Sequence, residues 1–250
     1  PDSMGQAILA LRELDVLAPG EADRLRTADP FAIQDVLGRA RGTAAEFPAN
    51  SLLLRAQKRA IYLPRNDGHY ALGAQAYCHF TSPIRRYPDV TVHRALKVLI
   101  GMAADAGMDA RTRTRELAAL PQLCRTCSDR ERAADAASRE SQQVKMAELY
   151  AGHVGESFSG IVVGVERYGL FVRLDETCAE GLLPTRALGD EWFAHDEGTM
   201  CLTGESTGRV WRLGQRVAVT VSGCRPEKGQ IDFTLARGAR PGRATRKDER

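Results

Sequence analysis

Two adjacent arginines, Arg85 and Arg86, are the residues whose types and spacing most clearly suggest chemistry. They lie in the run HFTSPIRRYPDVTVHR, which occupies residues 79–94. Guanidinium groups and the free backbone N–H groups of a helix N-terminus both suit a phosphate, so the pair predicts an anion-binding site. A surface turn whose arginines pair with acidic neighbours is the alternative interpretation of the same residues.

Two prolines set the local structure around these arginines. Pro83 and Pro88 each suit the first turn of a helix. A single helix through both is disfavoured, because Pro88 would remove a backbone hydrogen bond and clash with the preceding turn. We therefore predict a tight turn over residues 81–87 and a helix over 88–100. The apolar stripe predicted for this helix consists of Val92, Leu96, Leu99 and Ile100.

The chain changes character near Gly152. Residues 1–150 show mostly helical periodicity, and we predict that Pro121 begins a long helix reaching about Tyr150. After Gly155, short apolar runs separated by glycines are typical of strands. The predicted strands are Phe158–Val165, Tyr168–Leu174, Gly181–Leu183, Arg216–Ser222 and Gln230–Leu235. Their number and spacing predict a small closed barrel of the OB type.

One face of this barrel carries aromatic and basic side chains. Leu170, Val172 and Leu174 are expected to point into the barrel, because strand residues alternate between faces, while Phe171 and Arg173 share the other face. Aromatic rings on such a face can stack bases, and arginines can hold phosphates. The residues predicted for this surface are Phe158, Tyr168, Phe171 and Arg173, with barrel core as the alternative for Phe158.

Composition restricts the function only loosely. The chain has 250 residues and a formal net charge of +3, which does not by itself indicate nucleic acid. Residues 238–250, together with Arg237, predict a disordered basic tail that either contacts RNA or only improves solubility. We expect no membrane association, because no apolar run reaches membrane-spanning length.

The six cysteines lack the pattern of a disulfide framework, and we expect a reducing, cytoplasmic context. Cys124 and Cys127 have the spacing of a zinc or redox pair. A structural zinc ion needs four ligands, and no second pair of Cys or His stands at ligand spacing. We therefore predict no metal site at these cysteines.

The run from His79 to Leu96 resembles the signature of the ribonuclease II and ribonuclease R family of processive 3′→5′ exoribonucleases. The barrel is similar to the S1 RNA-binding domain that closes members of this family, although Pro184 stands where many S1 domains have a histidine. Further matching segments lie on both sides of the signature. They are Leu53–Arg55, Lys58, Ala60–Tyr62, Gly68–Gly73, Cys127–Ser128 and Glu131–Asp135, then Tyr168–Val172, Glu180–Leu182, Arg212–Val217 and Ile231–Leu235 in the barrel.

The resemblance implies an α+β chain. It places the helix-rich rear half of an RNB catalytic domain at residues 1–152, a five-stranded S1 barrel at 153–237 and a basic tail at 238–250. It also implies that Arg85, and after it Arg86, grasps RNA phosphates near the scissile bond. Tyr87 lies beside them as an RNA-contacting or structural residue, and Arg55 and Lys58 are expected to line the RNA channel.

The family reaction is a magnesium-dependent hydrolysis whose aspartate cluster lies in the first half of the catalytic domain. The aspartates at positions 15, 23, 29, 35, 67 and 89 are scattered along the chain. We therefore expect a fragment that lacks the metal ligands and is inactive alone. Its expected partners are single-stranded RNA and the missing half of the catalytic domain, and we expect a monomer. The alternative is a module that binds RNA and cleaves nothing.

Overall fold

The computed structural model describes residues 3–101, 110–236 and 238. The chain forms two compact units, of which unit 1 comprises residues 1–58 and 139–250 and unit 2 comprises residues 59–138. One long helix crosses from unit 2 into unit 1. The division therefore does not follow the change from helices to strands near Gly152.

Four helices open unit 1: α1 (Ser3–Glu13), α2 (Glu21–Arg26), α3 (Pro30–Ala40) and α4 (Glu46–Ala56). Their apolar faces meet in a core that includes Ile8, Leu11, Leu25, Val36 and Leu53. The start of α3 follows from its sequence, because the Asp29 side chain accepts a hydrogen bond from the Phe31 N–H and Pro30 takes the first turn.

The predicted barrel is confirmed. Its strands are β1 (Ser157–Glu166), β2 (Gly169–Leu174), β3 (Glu180–Pro184), β7 (Arg216–Arg225) and β8 (Gln230–Leu235), closed in the order β1-β2-β3-β8-β7. Along β2 the side chains of Leu170, Val172 and Leu174 are buried, whereas Phe171 and Arg173 are only partly covered. The expected alternation of this strand is therefore also confirmed.

The connection between β3 and β7 contains structure that the sequence did not predict. It forms the short helix α7 (Thr185–Leu188) and a three-stranded sheet of β4 (Phe193–Asp196), β5 (Cys201–Gly204) and β6 (Val210–Arg212). The segment after β6 contacts helices α1–α4, because Leu213 packs into the core that these helices form. Gly214 has a φ of 80°, and a Cβ there would lie 2.7 Å from Cδ of Pro48. The close approach to α4 therefore requires glycine.

Unit 2 contains α5 (Tyr87–Leu99) and the N-terminal part of α6 (Ala110–Ala151). The helix predicted over 88–100 is confirmed within a residue at each end. The prediction that Pro121 begins the long helix is wrong, because α6 begins at Ala110 and Pro121 lies inside it. An internal proline costs about 3 kcal/mol. Alanine and leucine, the best helix formers, precede Pro121, so the helix continues across the missing bond.

No apolar side chain is buried among the residues of unit 2 that the structure describes. The only buried residues there are Asp89 and Ser128. The predicted stripe of α5 is largely exposed, with Leu99 at 80% and Ile100 at 60% exposure. Within the described part, this stripe therefore covers no core. Among the helices of these ranges, none combines the length and apolar character that a membrane crossing requires.

Candidate nucleic-acid interface

The run that contains the two arginines folds as a tight turn followed by a helix, as predicted. The backbone N–H groups of Arg85 and Arg86 both donate to the carbonyl of Ser82, over 3.2 and 3.0 Å. Helix α5 then begins at Tyr87, with Pro88 in its first turn. Pro88 fits the first turn of a helix better than a helix interior, which favours a turn before it and a helix start at this point.

Asp89 closes the turn from inside α5. Its side chain is completely buried, and its Oδ2 accepts hydrogen bonds from the Ser82 N–H at 2.6 Å and from the Arg86 guanidinium at 2.9 Å. Burial by itself would raise the pKa of Asp89. The two hydrogen bonds and the charge of Arg86 outweigh it, so the pKa lies below its usual value.

The two arginines therefore have different environments. The Arg86 side chain is 21% exposed and paired with Asp89. The Arg85 side chain is exposed, and it makes no ion pair with the part of the chain that the structure describes. Beside it, Ile84 is fully exposed and Tyr87 is half exposed. Of the two predicted phosphate contacts, Arg85 is thus the one whose guanidinium group is free to bind an anion.

One tyrosine and two histidines make hydrogen bonds to the run or within it. Tyr62 Oη lies 3.1 Å from His79 Nδ1, and His93 Nε2 lies 2.7 Å from the carbonyl of Phe80. Burial, and then the neighbouring carboxylate of Glu131, raises the pKa of Tyr62 to about 12. The Tyr62 hydroxyl is therefore protonated at physiological pH, and which of Tyr62 and His79 donates the hydrogen bond between them depends on the tautomer of the histidine.

Arg55 and Lys58, the two residues predicted to line an RNA channel, lie at the end of α4 and just after it. The Arg55 guanidinium donates to the carbonyl of Val163 over 2.6 Å. Val163 lies where the register between β1 and β2 shifts, at a bulge that takes it out of the pairing with β2. Lys58 is exposed. Arg55 therefore attaches α4 to the barrel, whereas Lys58 remains open to solvent.

The barrel presents one aromatic pair. The rings of Tyr168 and Phe171 meet edge to face, with their centroids 6.2 Å apart. Tyr168 is 56% exposed. Phe171 is partly covered and lies over Gly164, whose missing side chain leaves room for the ring. This pair offers a surface on which bases can stack.

The other two residues predicted for this face have packing partners in unit 1. The Phe158 ring contacts Tyr150 and His153, with centroids 5.3 and 6.1 Å away, and packs against the barrel core. The Arg173 guanidinium lies over the Phe47 ring of α4, 5.2 Å from its centroid. The RNA contacts of Phe158 and Arg173 remain predictions. Both side chains also pack against the protein, which the sequence analysis had offered as an alternative for Phe158 but not for Arg173.

Sequence reasoning also missed the role of Asp89, which it counted only among the scattered aspartates. The available signal was the three-residue spacing of Arg86 and Asp89 at a helix start, which brings the two side chains together. The six cysteines are all free. Across residues 3–101, 110–236 and 238, no three His, Cys, Asp or Glu side chains converge to hold a metal ion.

Two protein families match this chain at separate places. The RNB domain matches residues 10–101, and the S1 RNA binding domain matches residues 153–236. The fold and both matches define a protein that joins part of an RNB domain to an S1 barrel.

Curated and solved relatives narrow this class. Ribonuclease R of Escherichia coli K12 is 38% identical over 205 residues, which cover 80% of this chain and 25% of that protein. The structure of Mycoplasma genitalium RNase R is similar, with a TM-score of 0.82 and 26% identity over 94% of this chain and 36% of that one. A second structure of that enzyme, in complex with ribose-methylated single-stranded RNA, matches with the same TM-score.

The chain belongs to the ribonuclease R family. It spans about a quarter of the length of the curated relatives that it matches.

Proposed function

We propose that this chain is part of a processive 3′→5′ exoribonuclease that hydrolyses single-stranded RNA to nucleoside 5′-monophosphates. Its contribution would be the phosphate contact of Arg85, with Arg86 beside it in the same turn, and the RNA grip of the S1 barrel. The observation that carries this proposal is Arg85, which is exposed and without an ion pair among the described residues, in the turn before α5 and within a segment that matches the RNB domain. RNA bound to Mycoplasma genitalium RNase R supports the choice of substrate.

The side chains of this chain would act by holding the substrate. A guanidinium at position 85 can bind a phosphate by two parallel hydrogen bonds and offset charge that develops during phosphodiester cleavage. The Tyr168 and Phe171 rings can stack bases, at roughly 1–3 kcal/mol per base. These contacts fix the strand and do not themselves supply an attacking water.

We propose that magnesium ions assist the complete enzyme, as the family resemblance implies. The described residues do not fit such a site, because no three potential ligands converge among them. We propose, as the family resemblance implies, that the aspartates that would bind magnesium lie in a part of the enzyme outside this chain, and none of the steps above passes through the metal.

The other half of the catalytic domain is the proposed protein partner. Unit 2 supports this proposal, because its described residues bury no apolar side chain while Ile84, Leu99 and Leu117 are more than half exposed. A folded domain ordinarily covers such surface. We further propose a monomeric enzyme in the cytoplasm, a reducing compartment that suits six free cysteines.

A module that binds RNA without cleaving it is the second candidate. The lack of a metal-holding cluster in the described ranges favours it. Both candidates share the phosphate site and the S1 surface, and they differ in whether a complementary polypeptide restores cleavage.

The test uses the purified chain, a 3′-labelled and a 5′-labelled single-stranded RNA, and magnesium. We expect RNA binding whose affinity falls as salt rises from about 50 to 200 mM, since phosphate contacts release counterions. We expect no shortening of the RNA by the chain alone. Adding the rest of the catalytic domain should restore shortening from the 3′ end. Binding without any restored cleavage would favour the module, and an affinity independent of salt would contradict the phosphate site.

A further inference from the structure

We propose that Asp89 is the positioning residue of the phosphate site, fixing the turn over residues 82–86 and engaging Arg86 so that Arg85 alone faces outward. The inference rests on the proposed function, since it assigns a role within the same site. It concerns a side chain that binds no RNA itself, because the Asp89 side chain has no exposed surface.

A single carboxylate oxygen of Asp89 accepts hydrogen bonds from both ends of the turn. Asp89 Oδ2 accepts from the backbone N–H of Ser82, where the turn begins, and from the guanidinium of Arg86, where it ends. Hydrogen bonds to an ionised carboxylate are about twice as strong as neutral ones. The backbone between these two anchors contains Arg85, whose own N–H is bonded to the Ser82 carbonyl. The path of the chain through Arg85 is thus fixed on both sides.

The same contacts explain why the two arginines are not equivalent. Asp89 neutralises the charge of Arg86 and holds its side chain at 21% exposure. Arg85 has no such carboxylate among the described residues, and its side chain is exposed. Without Asp89, Arg86 would be released and could take the phosphate in place of Arg85. Asp89 therefore decides which guanidinium meets the substrate.

Buried atoms without partners also point to positioning. Asp89 Oδ1 and Arg86 Nε are both buried and unpaired within the described structure. A carboxylate that served only to stabilise the fold would be expected to use both oxygens, since leaving a buried acceptor unpaired is unfavourable. The pair tolerates this cost while it holds the turn in one conformation.

A double-mutant cycle on RNA affinity tests the proposal. Fluorescence anisotropy with a labelled single-stranded RNA, in EDTA to prevent cleavage, gives the dissociation constants. With Asp89 present, we expect Arg85→Ala to weaken binding about tenfold, the order of one charge-assisted contact. In the Asp89→Asn background, the same substitution should weaken binding less than about threefold, because Arg86 replaces Arg85.

Asp67→Asn is the matched control background. Asp67 is also paired with an arginine of unit 2, Arg65, but the pair is exposed and lies outside the turn. There the tenfold effect of Arg85→Ala should persist. An equal loss in the Asp89→Asn background would overturn the proposal.

Amide hydrogen exchange provides a second measurement that needs no RNA. Asp89→Asn should speed exchange at Ser82, Arg85 and Arg86 and leave the amides in the C-terminal half of α5 unchanged. Unchanged exchange in the turn would refute the positioning role, and so would loss of protection along all of α5. If the wild-type chain bound no RNA, the proposed function would fail, and this measurement would still decide whether Asp89 fixes the turn.

Discussion

Arg85 and Arg86 are chemically identical, and their surroundings make them different. A carboxylate three residues after Arg86 lies on the same side of the first helical turn and pairs with it, whereas Arg85 projects from the turn itself. A buried ion pair adds little net stability, because the cost of desolvating both charges offsets their attraction. At the residue scale, the site consists of one guanidinium that is held and one that is free.

The Asp89 carboxylate and its hydrogen bonds to Ser82 and Arg86 form a clamp on the turn. The pH dependence of this clamp follows from the direction in which the pKa of Asp89 is shifted. Because its pKa in the folded chain lies below the usual 3.8, the clamp contributes its full stabilisation above about pH 3.8 and loses it as the pH falls through the lower, folded-state value. The Ser82 amide proton, which donates to this carboxylate, should keep its shifted NMR resonance from neutral pH down to below 3.8. A midpoint above 3.8 would contradict the assignment. The amide of Gly68, which donates to the neutral Asn66 side chain, provides a control.

At the scale of elements, a bulge in β1 explains how helix α4 is attached to the barrel. Where the register shifts, the Val163 carbonyl points to Arg55 instead of continuing the ladder with β2. Together with Gly214 against Pro48 and Arg173 over Phe47, this contact joins α4 to the barrel within unit 1. Two of the predicted RNA-binding residues, Arg55 and Arg173, thus have structural contacts of their own.

Arg55→Ala should destabilise unit 1 by about 1 kcal/mol, because it removes a charge-assisted bond that is partly exposed to solvent. Urea unfolding followed by tryptophan fluorescence measures this, since Trp211 is buried in strand β6 of unit 1. Lys58→Ala is the control and should leave the free energy of unfolding unchanged. Unaltered stability of Arg55→Ala with a clear loss of RNA affinity would show that Arg55 acts on RNA instead.

At the scale of the whole molecule, the two units differ in how much they bury. Unit 1 contains two apolar cores, one in the barrel and one among helices α1–α4. The described residues of unit 2 contain none, and its buried side chains are polar. Burial of apolar surface is the main stabilising contribution to folding, so the described part of unit 2 has less of this stabilisation than unit 1.

Limited trypsin digestion should therefore cut first between residues 59 and 101, where opening costs little. The S1 barrel, with its closed sheet and buried core, should persist as a fragment. Adding the proposed other half of the catalytic domain should slow the early cuts and leave the barrel pattern unchanged. Early cleavage inside β1 or β7 would contradict this order of stability.

The sequence predicted features that depend on local rules. The five barrel strands, the turn before α5 and the helix itself follow from alternation, proline geometry and helical periodicity. Pro121 shows where such rules fail, because a helix can continue across one missing hydrogen bond. The β4–β6 sheet was also missed, since its strands have only three or four residues each.

By itself, the sequence determined the barrel, the order of RNB and S1 segments and the identity of the two arginines that could bind a phosphate. Only the tertiary structure decided that Arg86 is held by a buried Asp89 while Arg85 is exposed, and that Arg55 and Arg173 contact the protein itself. The physical reason is that burial and pairing arise from groups brought together in space, through a bulge, a helix start or a facing ring. Residue types and spacing determine which groups can pair, and packing determines which of them do.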